Sequence, residues 1–118
     1  MNIYISHSGA YDYKNELYKP LQESELSKTH HFFLPHEPEN IDTNAEQELQ
    51  QTDVLVAEVS LPSTGQGIEL AQAKAAGVPV ICFYRKGSKP SSSLRFVTDK
   101  LIQYEDTDDL LAKLQSML

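Results

Sequence analysis

The stretch Asp53-Val-Leu-Val-Ala-Glu-Val-Ser-Leu-Pro-Ser-Thr-Gly-Gln-Gly-Ile-Glu-Leu70 changes character twice. It opens with a run from Val54 to Val59, interrupted only by Glu58, short and β-branched enough to be a strand buried on both faces. It breaks at Ser60-Leu-Pro-Ser-Thr-Gly-Gln-Gly67, a loop with three hydroxyls, two glycines and a proline. A helical pattern follows through Ile68, Leu70, Ala71, Ala73, Ala75 and Ala76 and stops at Gly77. Strand, Gly/Ser loop and helix form the half-unit in which open α/β sheets place ligands, beyond the carboxyl end of the strand. Glycines there let backbone N–H groups approach an anion, and a helix N-terminus adds partial positive charge. Glu69 is expected just inside that helix start, where the dipole would hold its carboxylate ionised.

The same alternation continues outward in both directions. Asn2 to Ser6 reads as a first strand and ends in the small polar loop Ser6-His-Ser-Gly9. Tyr11 to Ser24 is helical in pattern, with Pro20 as an irritant that kinks or ends the helix. Thr29 to Leu34 is a second strand, closed by Pro35, and a polar loop runs from Pro35 to Asp42. Asp42 or Thr43 is placed to cap a short polar helix over Asn44 to Thr52. Beyond Gly77, Val78 to Tyr84 is a buried strand, and Arg85 to Ser93 is a basic, hydroxyl-rich loop with a helical turn near Leu94 to Val97. Lys100 to Tyr104 is a last strand, and Asp106 or Thr107 caps a helix with Leu110, Leu111, Leu114 and Leu118 on one face. The pattern predicts one domain over residues 1–118 of class α/β. It is a flavodoxin-like, Rossmann-type three-layer sandwich with a five-stranded parallel sheet in the order 2-1-3-4-5.

Composition bounds the function. A formal net charge of -7 argues against a nucleic-acid polymer as partner, because phosphate backbones need a basic footprint. One cysteine, Cys82, lies inside an apolar run, so neither a disulfide framework nor a thiolate metal site is expected. His30 and His31 point to opposite faces of a strand and no acid cluster joins them, so no metal and no cofactor are expected. No apolar run approaches the roughly 20 residues of a membrane span, and no leader pattern is read at Met1 to Ser6, so the expected location is cytoplasmic.

The loop Ser63-Thr-Gly-Gln-Gly67 lacks the Gly-Lys-Ser/Thr ending of a phosphate-binding P-loop and the third glycine of the dinucleotide fingerprint. The clustered carboxylates of a receiver domain are missing, since strand one ends in Ser6-His7. Glu69 has two readings. It is a dipole partner in a first helical turn, or a carboxylate nucleophile of the kind that attacks an anomeric carbon.

Ala57-Glu-Val-Ser-Leu-Pro-Ser-Thr-Gly-Gln-Gly-Ile-Glu-Leu70 resembles the signature of the nucleoside 2-deoxyribosyltransferase superfamily, and within it most closely the 2'-deoxynucleoside 5'-phosphate N-hydrolases. The resemblance implies cleavage or transfer at the N-glycosidic bond of a nucleoside or nucleoside 5'-monophosphate, a small-molecule substrate and a homodimer. It implies that Glu69 is the nucleophile, that Tyr4 lies near sugar and nucleophile, and that Ser63, Gly65 and Gly67 hold a 5'-phosphate. Ser8 and Gly9 would stand around phosphate or ribose, and Ser91 would serve the neighbouring subunit's phosphate site. If Ser63 and the basic loop Arg85 to Lys89 hold a phosphate, a monophosphate is preferred over a free nucleoside.

Two departures accompany the resemblance. The superfamily's aspartate eight residues before Asp53 is Ala45 here, and the Gly- and Arg-rich loop after strand one is His7-Ser-Gly-Ala-Tyr-Asp12. Asp42, His7 or His36 could stand in as the acid, and spacing does not select among them. Two alternatives remain open at this point. One is a noncatalytic nucleotide-binding or interaction module, supported by Ala45. The other is a TIR-like NAD glycohydrolase, suggested by Tyr4-Ile-Ser-His-Ser8.

Overall fold

A computed structural model describes residues 1–118. Five strands, β1 (Asn2–His7), β2 (His31–Phe33), β3 (Val54–Glu58), β4 (Val80–Arg85) and β5 (Leu101–Tyr104), form one sheet in the order β2-β1-β3-β4-β5. Every pairing is parallel, with Tyr4 opposite Leu55, Ser6 opposite Ala57 and Glu58 opposite Phe83. Parallel strands need crossovers, and the crossovers are helical. α1 (Lys19–Glu23) and α4 (Thr107–Met117) cover one face, and α2 (Ala45–Leu49) and α3 (Thr64–Ala75) cover the other. The α/β class and strand order are those expected. No helix is long and apolar enough to cross a membrane.

Strand periodicity sorts the core into two layers. Ile3, Ile5, Val54 and Val56 face Leu17, Leu21, Leu110 and Leu114 on the α1/α4 side. Tyr4, Leu55, Ala57 and Val59 face Leu49, Leu70 and Ala73 on the α2/α3 side. Because β1 and β3 are central, all of β3 is buried, which is why its sequence reads as one apolar run.

Several boundaries differ from the sequence reading for local reasons. The first helix opens with a π-turn over Lys14–Tyr18, and Pro20 then sits in the opening turn of α1. Lys19 N–H donates to the Lys14 carbonyl, a looser winding that makes room for the proline ring. Asn44, not Asp42 or Thr43, caps α2 by accepting from the Glu46 N–H at 2.9 Å. The most consequential shift concerns α3. It begins at Thr64, because the Ser63 hydroxyl accepts from the Gln66 N–H and the Gly67 N–H already reaches the Ser63 carbonyl at 3.0 Å. The Gln66 side chain also donates to the Glu58 carbonyl at 2.8 Å, fastening the new helix to the end of β3. Gly65 and Gly67 are therefore helical. At the far end Gly77 adopts φ +75°, a left-handed stop that leaves Val78 N–H bonded to the Ala73 carbonyl.

Candidate active site

Tyr4 and Ser6 alternate onto one face of β1, and α3 lies above them. The Tyr4 hydroxyl donates to Glu69 Oε2 and the Ser6 hydroxyl donates to Oε1 at 2.9 Å. Tyr4 is fully buried against Phe33, with ring centroids 5.0 Å apart. Burial, with the Glu69 charge beside it, pushes its hydroxyl pKa far up, so it remains a donor. Ser6 was not singled out by sequence reasoning. The signal was present, because a residue two after a site tyrosine on a strand shares its face.

Glu69 is the sixth residue of α3, beyond the first turn in which the helix dipole acts. Its carboxyl is therefore not held low by the dipole. Burial raises it above the ordinary carboxylate range, while the hydrogen bonds from Tyr4 and Ser6 and the charge of nearby His36 pull against that rise. The result is a half-buried, comparatively basic carboxylate whose two oxygens are each aimed by one hydroxyl.

The loop after β1 packs beside this pair. The His7 ring is shut in: Nδ1–H donates to the Ser8 carbonyl at 3.0 Å, so Nε2 accepts from the Tyr18 hydroxyl at 2.6 Å. Burial pushes His7 down to about 4, which keeps it neutral. The Tyr18 oxygen accepts in turn from the His36 backbone N–H at 3.0 Å. His36 stands edge-on to His7 (4.6 Å between centroids) and to Tyr13 (5.0 Å). A methyl group at exposed Gly9 would meet its Cε1 at 3.6 Å. Ser8 is buried, and its hydroxyl accepts from the Ala10 N–H at 3.1 Å, shaping the turn.

The remaining expected residues separate into groups. Ser63, Gly67 and Ser91 line one cavity of about 410 Å³ together with Pro62, Leu70 and Leu94. At about 100° per residue, Ser63 and Gly67 lie on the flank of α3 turned toward Ser91, and Glu69 lies on the flank turned toward β1. Ser91 thus shares a cavity with Ser63 of its own chain. Gly65 lies at the exposed helix start, where the Thr64 and Gly65 N–H groups donate to nothing in the chain. Beyond their own helical turn, nothing lies within 4 Å of where a Cβ at Gly65 or Gly67 would stand, so the rest of the chain leaves this surface open. Asp42 is exposed in the turn before α2 and makes no side-chain hydrogen bond. Arg85 pairs with Glu16 at 3.0 Å and Lys86 with Glu105 at 3.7 Å, and neither lines the cavity of Ser63 and Ser91. No group of three or more His, Cys, Asp or Glu side chains is placed to hold a metal ion.

A second carboxylate was missed. Glu58, at the end of β3, is 2% exposed and accepts from the Tyr104 hydroxyl, the Ser60 N–H (2.7 Å) and the Ser60 hydroxyl (2.8 Å). Tyr11 donates to the Tyr104 oxygen at 3.0 Å, and Ser60 also accepts from the Arg85 N–H at 2.8 Å. This network pins the loop that leads into α3.

No family model matches the chain. The chain is 43% identical over 75 residues to a protein of Thermofilum pendens that carries the provisional name 2'-deoxynucleoside 5'-phosphate N-hydrolase 1. That match covers 59% of this chain and 52% of the relative. It is 55% identical over 40 residues to the 5-hydroxymethyl-dUMP N-hydrolase of Rattus norvegicus, covering 34% of this chain and 24% of that one. The chain spans about half the length of the curated relatives it matches over the longest stretches. Among solved structures, the CMP N-glycosidase of Clostridium botulinum is similar with a TM-score of 0.69 at 20% identity, over 98% of this chain and 99% of that one. The likeness to that structure is one of fold. The curated relatives are of the kind that the Ala57 to Leu70 signature resembles.

Proposed function

We propose that this chain breaks the N-glycosidic bond of a nucleoside 5'-monophosphate, with Glu69 as the nucleophile at C1'. The observation that carries the reading is the Glu69 carboxylate, half-buried and held by Tyr4 and Ser6 at the carboxyl end of a parallel sheet. A raised carboxyl is a better nucleophile than an ordinary one, and the two hydroxyls keep enough of it ionised to attack. Attack on an anomeric carbon through an oxocarbenium-like transition state fits this group, and the resulting glycosyl ester is then released by water or by a second base. Tyr4 and Ser6, which donate to the free carboxylate, are in place to stabilise it again as it departs in the second step.

The 5'-phosphate is assigned to the start of α3, where the Thr64 and Gly65 N–H groups have no acceptor in the chain and the Ser63 and Ser91 hydroxyls line the adjoining cavity. The names of the relatives supply the substrate class, a 2'-deoxynucleoside 5'-phosphate or a close analogue. A cytoplasmic homodimer completes the reading. The test is chromatographic: incubate the protein and Glu69→Ala with deoxynucleoside and ribonucleoside 5'-monophosphates, with and without an acceptor base. Released base that disappears in Glu69→Ala supports a hydrolase, and a new nucleotide supports a transferase. Binding without turnover by the wild type would favour the noncatalytic module instead.

A further inference from the structure

A departing nucleobase takes the electron pair of the C1'–N bond and needs a proton, yet the residue that the resemblance implies for this task is Ala45. Three side chains were open candidates, and the structure separates them. His7 has both ring nitrogens engaged and is 3% exposed, so it neither gives nor takes a proton from a ligand. Asp42 is exposed in a turn and its side chain is held by no hydrogen bond or ion pair, so nothing orients it toward a ligand. His36 differs from both. Its backbone is fixed by the Tyr18 hydroxyl and its ring is held edge-on between His7 and Tyr13. Yet neither of its ring nitrogens has a partner in the chain, and neither is closed off from solvent. It lies against the open Gly9 surface, in the electrostatic field of Glu69. An imidazole packed edge-on against His7 and Tyr13, with both nitrogens unpartnered and reachable at the loop after β1, has what a proton donor to a bound ligand requires.

We infer that His36 is the catalytic acid–base of this site, delivering a proton to the leaving base from the ring held by His7, Tyr13 and Tyr18. The inference rests on the glycosidase reading above. In the first step a Glu69 oxygen bonds to C1', the C1'–N bond breaks with its electron pair on the base, and the His36 imidazolium proton moves to that base. In the second step a water oxygen bonds to C1', one water proton returns to His36, and the Glu69 carboxylate leaves. The sum is nucleotide plus water giving free base plus sugar 5-phosphate. With a second base in place of water, the proton returned to His36 comes from that base, and the product is a new nucleotide.

The test compares leaving groups. Wild type, His36→Gln and Glu69→Ala are assayed on the nucleoside 5'-monophosphate cleaved best and on the 4-nitrophenyl glycoside of the same sugar 5-phosphate, whose leaving group departs as a stable anion. For His36→Gln, we expect kcat to fall about 10²-fold or more on the nucleotide and to stay within about threefold of wild type on the nitrophenyl substrate. Retained nitrophenyl activity also certifies that the variant is folded. Glu69→Ala should lose both activities. Equal losses by His36→Gln on the two substrates, or no loss on the nucleotide, would overturn the acid–base role while leaving the glycosidase reading intact. A wild type that cleaves neither substrate would overturn both.

Discussion

Two glutamates at the carboxyl edge of this sheet are built from the same parts and end with opposite properties. Glu58 receives a tyrosine hydroxyl from Tyr104 and a serine hydroxyl from Ser60, and Glu69 receives a tyrosine hydroxyl from Tyr4 and a serine hydroxyl from Ser6. Glu58 adds a backbone N–H, is buried, and closes onto its own loop. Glu69 keeps acceptor capacity free and remains open to solvent. The first carboxylate is satisfied and holds the β3–α3 junction in place. The second is under-satisfied and is available for chemistry. Two imidazoles repeat the contrast: His7 spends both nitrogens on its own chain, and His36 spends neither. The same two donor types thus leave one carboxylate fully partnered and the other with acceptor capacity to spare.

Exchange of the glutamates should separate the two roles most widely. Glu69→Gln should lower turnover on the order of 10⁴-fold or more, as removal of a covalent nucleophile does. Because the native carboxyl is raised, its ionisation opposes folding above the ordinary carboxylate pKa. The variant should therefore melt no lower than wild type at pH 7. Any advantage should vanish as the pH falls through the carboxylate range, where the native residue is protonated in both states. Glu58→Gln should instead cost about 2–4 kcal/mol of stability, with turnover at low temperature far less affected. Melting curves at pH 7 and pH 4 beside initial rates measure both.

The imidazole pair gives the next effect. His7 titrates near 6.5 when unfolded and near 4 when folded, so below pH 6.5 the unfolded chain takes up a proton that the folded chain refuses. Stability should fall by roughly 3 kcal/mol between those limits, and His7→Asn should flatten that slope while lowering stability at pH 7. The tyrosines come next. Tyr104→Phe should cost about 1.5–3 kcal/mol of stability, whereas Tyr4→Phe should take a similar energy from the transition state, roughly a 10–100-fold loss of kcat. The smallest effect expected is at Gly65. Replacement by alanine should raise stability by up to about 1 kcal/mol, since the Cβ meets nothing, while raising KM for 5'-monophosphates.

Much of this was legible in the sequence. The apolar runs at Val54 and Val78, the leucines of α4 and the stop at Gly77 give the fold, because burial on both faces leaves a plain signature. Glu69 was singled out by its place after the Gly/Ser loop, and its expected role and that of Tyr4 came from the resemblance to a superfamily. The helix start did not, because Gly65 and Gly67 look like loop residues until the Ser63 cap and the Gln66 anchor are seen. Glu58 was hidden because its partner Tyr104 lies 46 residues away, and no local pattern reports such a pairing. His36 was one of three candidates until its free nitrogens could be compared with the engaged ones of His7. Ser91 could be placed near a phosphate loop, but which flank of α3 it joins depends on the packing of the β4–β5 connection.

The measurement closest to the central claim is the mass of the protein itself during turnover. Wild type mixed with a cleavable nucleoside 5'-monophosphate and quenched in acid within the first turnovers should carry one added sugar-phosphate, and the peptide containing Glu69 should bear it. Turnover with an unmodified Glu69 peptide, or with the adduct on another residue, would contradict the assignment of Glu69 as the nucleophile.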